Sequence, residues 1–235
     1  MNNWAIQIIG ADGCGKSSIA EMLAQDLNSF TQEPETKLVH EPDKELDFCS
    51  DLYNMAFKTS GCTDVARELL LLASRSISTR AVARVLETMN IISDRSFMCG
   101  YAYNKIKCAL SPNIWWEFSK ACMNYNPDIV FYIETDKPKA IGRQGKEDMD
   151  YDKMSELDRA VLLQGYEEII DIVKGEIPVI RFKNDMSLGI ELGYKKFIEE
   201  CLIPSFPEFN AIRKTGHKNK SFTNFVFKEI EDSML

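Results

Sequence analysis

Apolar positions along the chain fall into short continuous runs separated by longer stretches of helical spacing. Trp4-Ala5-Ile6-Gln7-Ile8-Ile9 is a nearly unbroken run rich in β-branched residues, which predicts a buried strand. Residues 18–27 then carry apolar side chains at the helical period. Lys37-Leu38-Val39-His40 predicts a short second strand, stopped by Glu41-Pro42. A long helix is expected over 64–88, with Val65, Leu69, Leu72, Ile77, Val82, Val85 and Leu86 on its apolar face. Asn90-Ile91-Ile92-Ser93-Asp94 predicts a third strand ending in a carboxylate, and helices are expected over 97–107 and 113–124. Ile129 to Ile133 is the clearest central strand after the first. Lys137-Pro138 is expected to open a short helix, and 142–151 reads as a polar loop. A helix over 153–174, a strand over 177–180 and a helix over 188–201 complete the pattern. Strand and helix alternate throughout, so the expected fold is a three-layer α/β/α sandwich around a parallel sheet of about five strands. Composition shifts after Pro204, where a basic polar stretch precedes Phe222, Phe225 and Phe227. The expected division is a domain over 1–204 and an extension over 205–235.

The loop between the first strand and the first helix carries the chemistry. Gly10-Ala11-Asp12-Gly13-Cys14-Gly15-Lys16-Ser17-Ser18 contains Gly-x-x-x-x-Gly-Lys-Ser, a phosphate-cradling P-loop, in the strand–loop–helix context such a loop needs. Glycines let successive backbone N–H groups turn toward a polyphosphate. The helix start adds partial positive charge. Lys16 is placed to reach the outer phosphates and Ser17 to offer its hydroxyl to Mg²⁺. These features make the chain a P-loop NTPase by fold class, with ATP and Mg²⁺ as the implied ligands.

The remaining composition narrows the field. A net charge of −8 argues against a broad nucleic-acid surface, so cations must be gathered locally. Seven cysteines, odd in number and without a Cys-x-x-Cys pair, predict free thiols in a reducing, cytoplasmic setting, with neither a disulfide framework nor a zinc site. Cys14 reads as a small filler whose position at a helix start would lower its pKa. No leader or membrane span is expected, because Met1-Asn2-Asn3 leads directly into a strand and no apolar run is long enough to cross a bilayer.

Other polar residues fall where strands of a parallel sheet end, the edge at which ligands bind. Asp94-Arg95 ends the third strand there: Arg95 can meet phosphates and Asp94 can hold the metal shell. Glu41 ends the second strand at the same edge. Asp12 inside the loop is unfavourable beside phosphates unless it faces a cation or accepts from a sugar hydroxyl.

Together these segments resemble the thymidylate kinase family of nucleoside monophosphate kinases. The resemblance runs through Gly10 to Ser18, Glu41-Pro42, Leu69 to Arg75, Asp94-Arg95-Ser96, Gly100-Tyr101-Ala102-Tyr103-Asn104, the Pro127-Asp128 strand and the lid segment Arg143 to Asp152, in family order from residue 4 to about 202. It implies transfer of the ATP γ-phosphoryl group to dTMP, a homodimer and a helical lid. It further implies that Arg95 clamps the acceptor phosphate, Arg75 reads the pyrimidine edge, and Tyr103 packs on the deoxyribose beside Gly100. Arg143 and Lys146 would close over the phosphates, with Tyr151 on the acceptor side. Four positions depart from the family. Leu71 stands where an aromatic residue usually stacks on thymine, Ser96 replaces an aromatic, His40 stands where many members have arginine before Glu-Pro, and Gly13 replaces an arginine found in some members. The last change leaves Lys146 as the candidate to supply the missing charge. A broader deoxynucleoside monophosphate kinase, a deoxynucleoside kinase using Glu41 as base, and an ATP-binding switch without an acceptor are the alternative readings.

Overall fold

The computed structural model describes residues 3–29, 35–43, 45–107, 110–136 and 154–206. Five strands form one sheet: β1 (Ala5–Ile9), β2 (Thr36–His40), β3 (Asn90–Asp94), β4 (Ile129–Glu134) and β5 (Val179–Lys183), in the order β2-β3-β1-β4-β5. Every pairing is parallel, and β1 lies between β3 and β4 with Ile8 opposite both Asp94 and Phe131. Because β1 is covered on both faces, all five of its residues are buried, which is why its sequence is a continuous run rather than an alternation.

Among the described residues, seven helices of eight or more residues flank the sheet: α1 (Lys16–Ser29), α2 (Asp47–Lys58), α3 (Asp64–Leu86), α4 (Phe97–Asn104), α5 (Pro112–Cys122), α6 (Glu156–Val173) and α7 (Ile190–Phe197). One core layer joins Ile6, Ile8, Phe131 and Ile133 to Leu23 of α1 and Phe197 of α7. The opposite layer joins Ile9, Val130 and Tyr132 to Trp115 of α5 and Leu162, Tyr166 and Ile169 of α6. Side-chain alternation along the strands assigns residues to these layers. Helix starts are set by short polar side chains: the hydroxyls of Thr63, Ser96, Ser111 and Ser155 accept the N–H groups of Ala66, Met98, Ile114 and Asp158.

Several boundaries differ from the sequence expectation. α2 has no counterpart in it; its local signals are Asp47 in the first turn and Lys58 in the last. β5 begins at Val179 rather than Ile177, because Pro178 lacks the N–H a ladder needs and contributes only its carbonyl, to Val130. The last helix is interrupted at Gly189, whose φ is +82°, and continues from Phe197 into a π turn over Ile198–Leu202. α4 ends at Asn104, short of the expected 107.

The largest correction concerns α3. Val65 and Leu69 are each 51% exposed, while Glu68, Leu71, Leu72, Ser74, Arg75, Ser78, Thr79 and Val82 are buried. The buried stripe is largely polar: Ser74 donates to the Cys49 carbonyl, Ser78 accepts the Asp43 N–H, Thr79 donates to the Cys122 carbonyl, and Arg75 faces Glu41. The expected short helix at 137–138, the polar loop over 142–151 and the extension beyond Phe206 lie outside the described residues.

α4 and α6 approach closely at Gly165, where an added Cβ would come within 2.8 Å of the Ala102 Cα and 3.2 Å of its carbonyl oxygen. Both obstacles are backbone, so Gly165→Val must force the helices apart. The expected loss is about 1–3 kcal/mol, read as a lower urea midpoint with an unchanged slope. A wild-type midpoint would contradict the contact.

Candidate active site

The turn from β1 into α1 is built from glycine geometry. Gly10, Gly13 and Gly15 have φ of +149°, +83° and +91°. A side chain at Gly10 would strike the Ile133 carbonyl and come within 2.8 Å of the Cys14 Sγ. Tyr166 on α6 donates its hydroxyl to the Gly10 carbonyl at 2.8 Å, bracing the start of the loop. Cys14 is buried in the α1 core layer, as a filler should be. Its thiol pKa moves opposite to the expectation: burial pushes it up, outweighing the nearby Lys16 charge.

Asp12 is the electrostatic hub. Its Oδ1 accepts from Lys16 Nζ at 3.0 Å and from Arg95 Nη2 at 2.5 Å, and its backbone N–H donates to the Tyr103 hydroxyl at 3.1 Å. Burial alone would raise its pKa, but Arg95 and then Lys16 outweigh that and hold the carboxyl far below the usual range. Lys16 Nζ also donates to the Ala11 carbonyl at 3.3 Å. Arg95 adopts φ +83°, a strained conformation for a residue with a side chain, which turns its guanidinium back over the loop and over the Tyr103 ring. The P-loop cation and the strand-end arginine therefore meet on one carboxylate.

Ser17 and Asp94 meet beside them. Ser17 Oγ donates to Asp94 Oδ2 at 2.7 Å, and Asp94 Oδ1 is buried without a hydrogen-bond partner. A hydroxyl and a carboxylate with a spare oxygen suit a Mg²⁺ shell. Among the described residues no cluster of three or more His, Cys, Asp or Glu able to hold a metal occurs.

Glu41, Arg75 and Gly100, expected on the acceptor side, lie close together. Glu41, at the end of β2, is 2% exposed, and its Oε1 lies 3.8 Å from Arg75 Nε. Arg75, 8% exposed, leaves Nε and Nη1 without hydrogen-bond partners. Its guanidinium rests on Gly100, where a Cβ would come within 2.9 Å. Leu71 and Tyr103 are buried at 5% and 7% exposure. Ser96, flagged for replacing an aromatic, caps α4, so it sets the helix that carries Gly100 and Tyr103. Arg143, Lys146 and Tyr151 lie outside the described residues. The sequence reading missed Glu68, Tyr166 and Asn184. Only Asn184 had a usable signal, a polar residue directly after the last strand at the ligand-binding edge.

The site thus brings Lys16 of the glycine loop and Arg95 from the end of β3 together on one carboxylate, with Ser17 bonded to Asp94 beside them. The family model for thymidylate kinase matches residues 8–187, which include every described part of the site. The chain belongs to the thymidylate kinase family. Members of this family are ATP-dependent nucleoside monophosphate kinases, and their donor ATP is usually accompanied by Mg²⁺. A probable thymidylate kinase of Methanococcus maripaludis is 26% identical over 165 residues, covering 69% of this chain and 75% of that protein. The thymidylate kinase of Anaplasma phagocytophilum is 28% identical over 139 residues, covering 57% and 63%. The fold is shared with thymidylate kinase of Ehrlichia chaffeensis at TM-score 0.64 and 19% identity, over 86% of this chain and all of that one. It is shared likewise with that of Candida albicans at TM-score 0.63 and 22% identity, over 90% and 93%.

Two pocket carboxyls couple to stability. Burial lifts Glu41 from 4.5 to about 7 against the pull of Arg75, and lifts Glu68 likewise to about 7 against Arg75 and Arg67. As pH rises from about 4.5 to 7, the unfolded chain has already released these two protons while the folded protein keeps them, so stability falls across that window. Glu68→Gln removes one contribution, and unfolding free energy should decline less steeply between pH of about 5 and 7.5. A slope equal to wild type in urea titrations would contradict the burial of this carboxyl.

Proposed function

We propose that the chain transfers the γ-phosphoryl group of ATP to dTMP, giving dTDP and ADP. The observation that carries this reading is the shared carboxylate: Lys16 of the donor loop and Arg95 of the acceptor side both bond Asp12 Oδ1. Two phosphate-binding cations so placed can follow one phosphoryl group from donor to acceptor. The bond between the γ-phosphorus and the ADP oxygen breaks as a dTMP phosphate oxygen bonds to that phosphorus. The attacking oxygen is already anionic, so the step needs positioning and charge neutralisation and no general base.

In this reading the N–H groups from Gly10 to Ser18 and Lys16 hold the ATP phosphates. Ser17 and Asp94 would hold Mg²⁺, which would supply charge neutralisation for the phosphates. Arg95 bridges acceptor phosphate and transferring group. Arg75 donates to a carbonyl of the base, Leu71 packs on the ring, and Tyr103 with Gly100 shapes the sugar site. Arg143, Lys146 and Tyr151 belong to the lid that excludes water, with Lys146 supplying charge that Gly13 does not. The homodimer rests on the family resemblance, and the cytoplasmic setting on the seven cysteines without a disulfide framework.

A deoxynucleoside kinase is the second reading, favoured by one observation: Glu41 is buried and its pKa lies near 7, as a general base would require. ADP release coupled to a reporter separates the two. Turnover with dTMP and none with thymidine is expected; turnover on thymidine alone reverses the assignment. Arg95→Ala should lower kcat by about 10³-fold without loss of fold, as for other phosphoryl-transfer arginines. A wild-type rate in the folded variant overturns its role. Leu71→Phe should tighten dTMP binding in calorimetry, since ring stacking is worth about 1–3 kcal/mol per base. Equal or weaker binding would remove Leu71 from the base pocket.

A further inference from the structure

Asn184 follows β5 directly, and its backbone N–H extends the sheet by bonding the Glu134 carbonyl at 2.8 Å. Its side chain is 7% exposed and points under the glycine loop. Nδ2 donates to the Cys14 carbonyl at 2.9 Å and lies 3.2 Å from the Met186 Sδ. Two glycines make room for it. A Cβ on Gly15 would come within 2.6 Å of Nδ2, and one on Gly193 of α7 within 2.8 Å of Oδ1. Three separate segments are therefore shaped around one amide.

The consequence follows from peptide geometry. In a planar trans peptide the carbonyl and the next N–H point in opposite directions. Drawing the Cys14 carbonyl outward to Asn184 aims the Gly15 N–H inward, to the concave side of the loop. Gly15 has no Cβ to resist rotation, so this peptide has little intrinsic preference for either orientation. Without a partner for the carbonyl, nucleotide binding would have to fix that choice itself.

We infer that Asn184 is a positioning residue for the donor phosphates, holding the peptide between Cys14 and Gly15 with its N–H turned toward the nucleotide. The inference rests on ATP binding at the glycine loop and is independent of which monophosphate accepts the phosphoryl group.

Calorimetry with ATP and Mg²⁺, paired with separate KM measurements for ATP and dTMP, tests it on the full chain. Asn184→Ala should weaken ATP binding about tenfold, the effect of one well-made hydrogen bond, and raise KM for ATP to match. The KM for dTMP should stay within about twofold, far from the tenfold change of a lost hydrogen bond. Asn184→Asp keeps the shape but loses the amide donor and sets a carboxylate oxygen against the carbonyl. It should bind ATP at least as weakly as the alanine variant. The Gly15 amide resonance in a ¹⁵N–¹H spectrum should shift in both variants, as a reoriented peptide requires. Wild-type ATP affinity in Asn184→Asp, or equal increases in both KM values, would overturn the inference. Failure of the wild-type chain to bind ATP would overturn it together with the proposed function, whereas wild-type binding with unaffected variants would overturn this inference alone.

Discussion

The site depends on one partly exposed carboxylate that two cations share. Asp12 sits where a negative charge would repel a polyphosphate, yet Lys16 and Arg95 both bond its Oδ1. Removing water from a carboxylate costs free energy, and paired hydrogen-bonded cations offset that cost. The arrangement ties the loop after β1 to the turn after β3, two segments far apart in sequence. It also keeps two long, flexible cationic side chains aimed at one point before any phosphate arrives, which reduces the ordering left for binding to perform.

Sheet order makes that meeting possible. β1 lies between β3 and β4, so the loop after β1 has the end of β3 on one side and that of β4 on the other. Gly10 packs on the Ile133 carbonyl of β4, while Ser17 reaches Asp94 of β3. The helices then divide the work. α1 starts at the glycine loop, and α3 buries a largely polar stripe that includes Arg75 and Glu68. Arg75 on that stripe keeps two hydrogen-bond donors without partners. Buried donors left so cost about 1–3 kcal/mol each, a cost a carbonyl-bearing ligand would relieve. The pocket is thus less stable than a packed core would be, as binding sites commonly are.

The Gly165→Val and Glu68→Gln expectations rest on features that the sequence did not reveal, and the reason is instructive. Near-continuous apolar runs made β1, β3 and β4 legible, because burial on both faces favours apolar side chains, with Gln7 and Ser93 as buried polar exceptions. The loop residues from Gly10 to Ser17 were legible because their spacing is fixed by phosphate geometry. α3 misled because Val65 and Leu69 satisfy the helical period while facing away from the buried stripe. Periodicity finds apolar faces and is blind to a helix whose buried side is polar. Tyr166 and Asn184 each act on the loop through a single hydrogen bond from more than 150 positions away, and only Asn184, directly after the last strand, carried a positional signal. Ser96 looked like a lost aromatic and is instead the cap of α4.

The most direct test is a crystal structure with a bisubstrate analogue joining adenosine and thymidine through five phosphates. The account predicts phosphates threaded through the loop from Gly10 to Ser17, Arg95 on the central phosphates, and thymine between Leu71 and Arg75. A thymidine end lodged anywhere else, or a glycine loop making no phosphate contact, would contradict it.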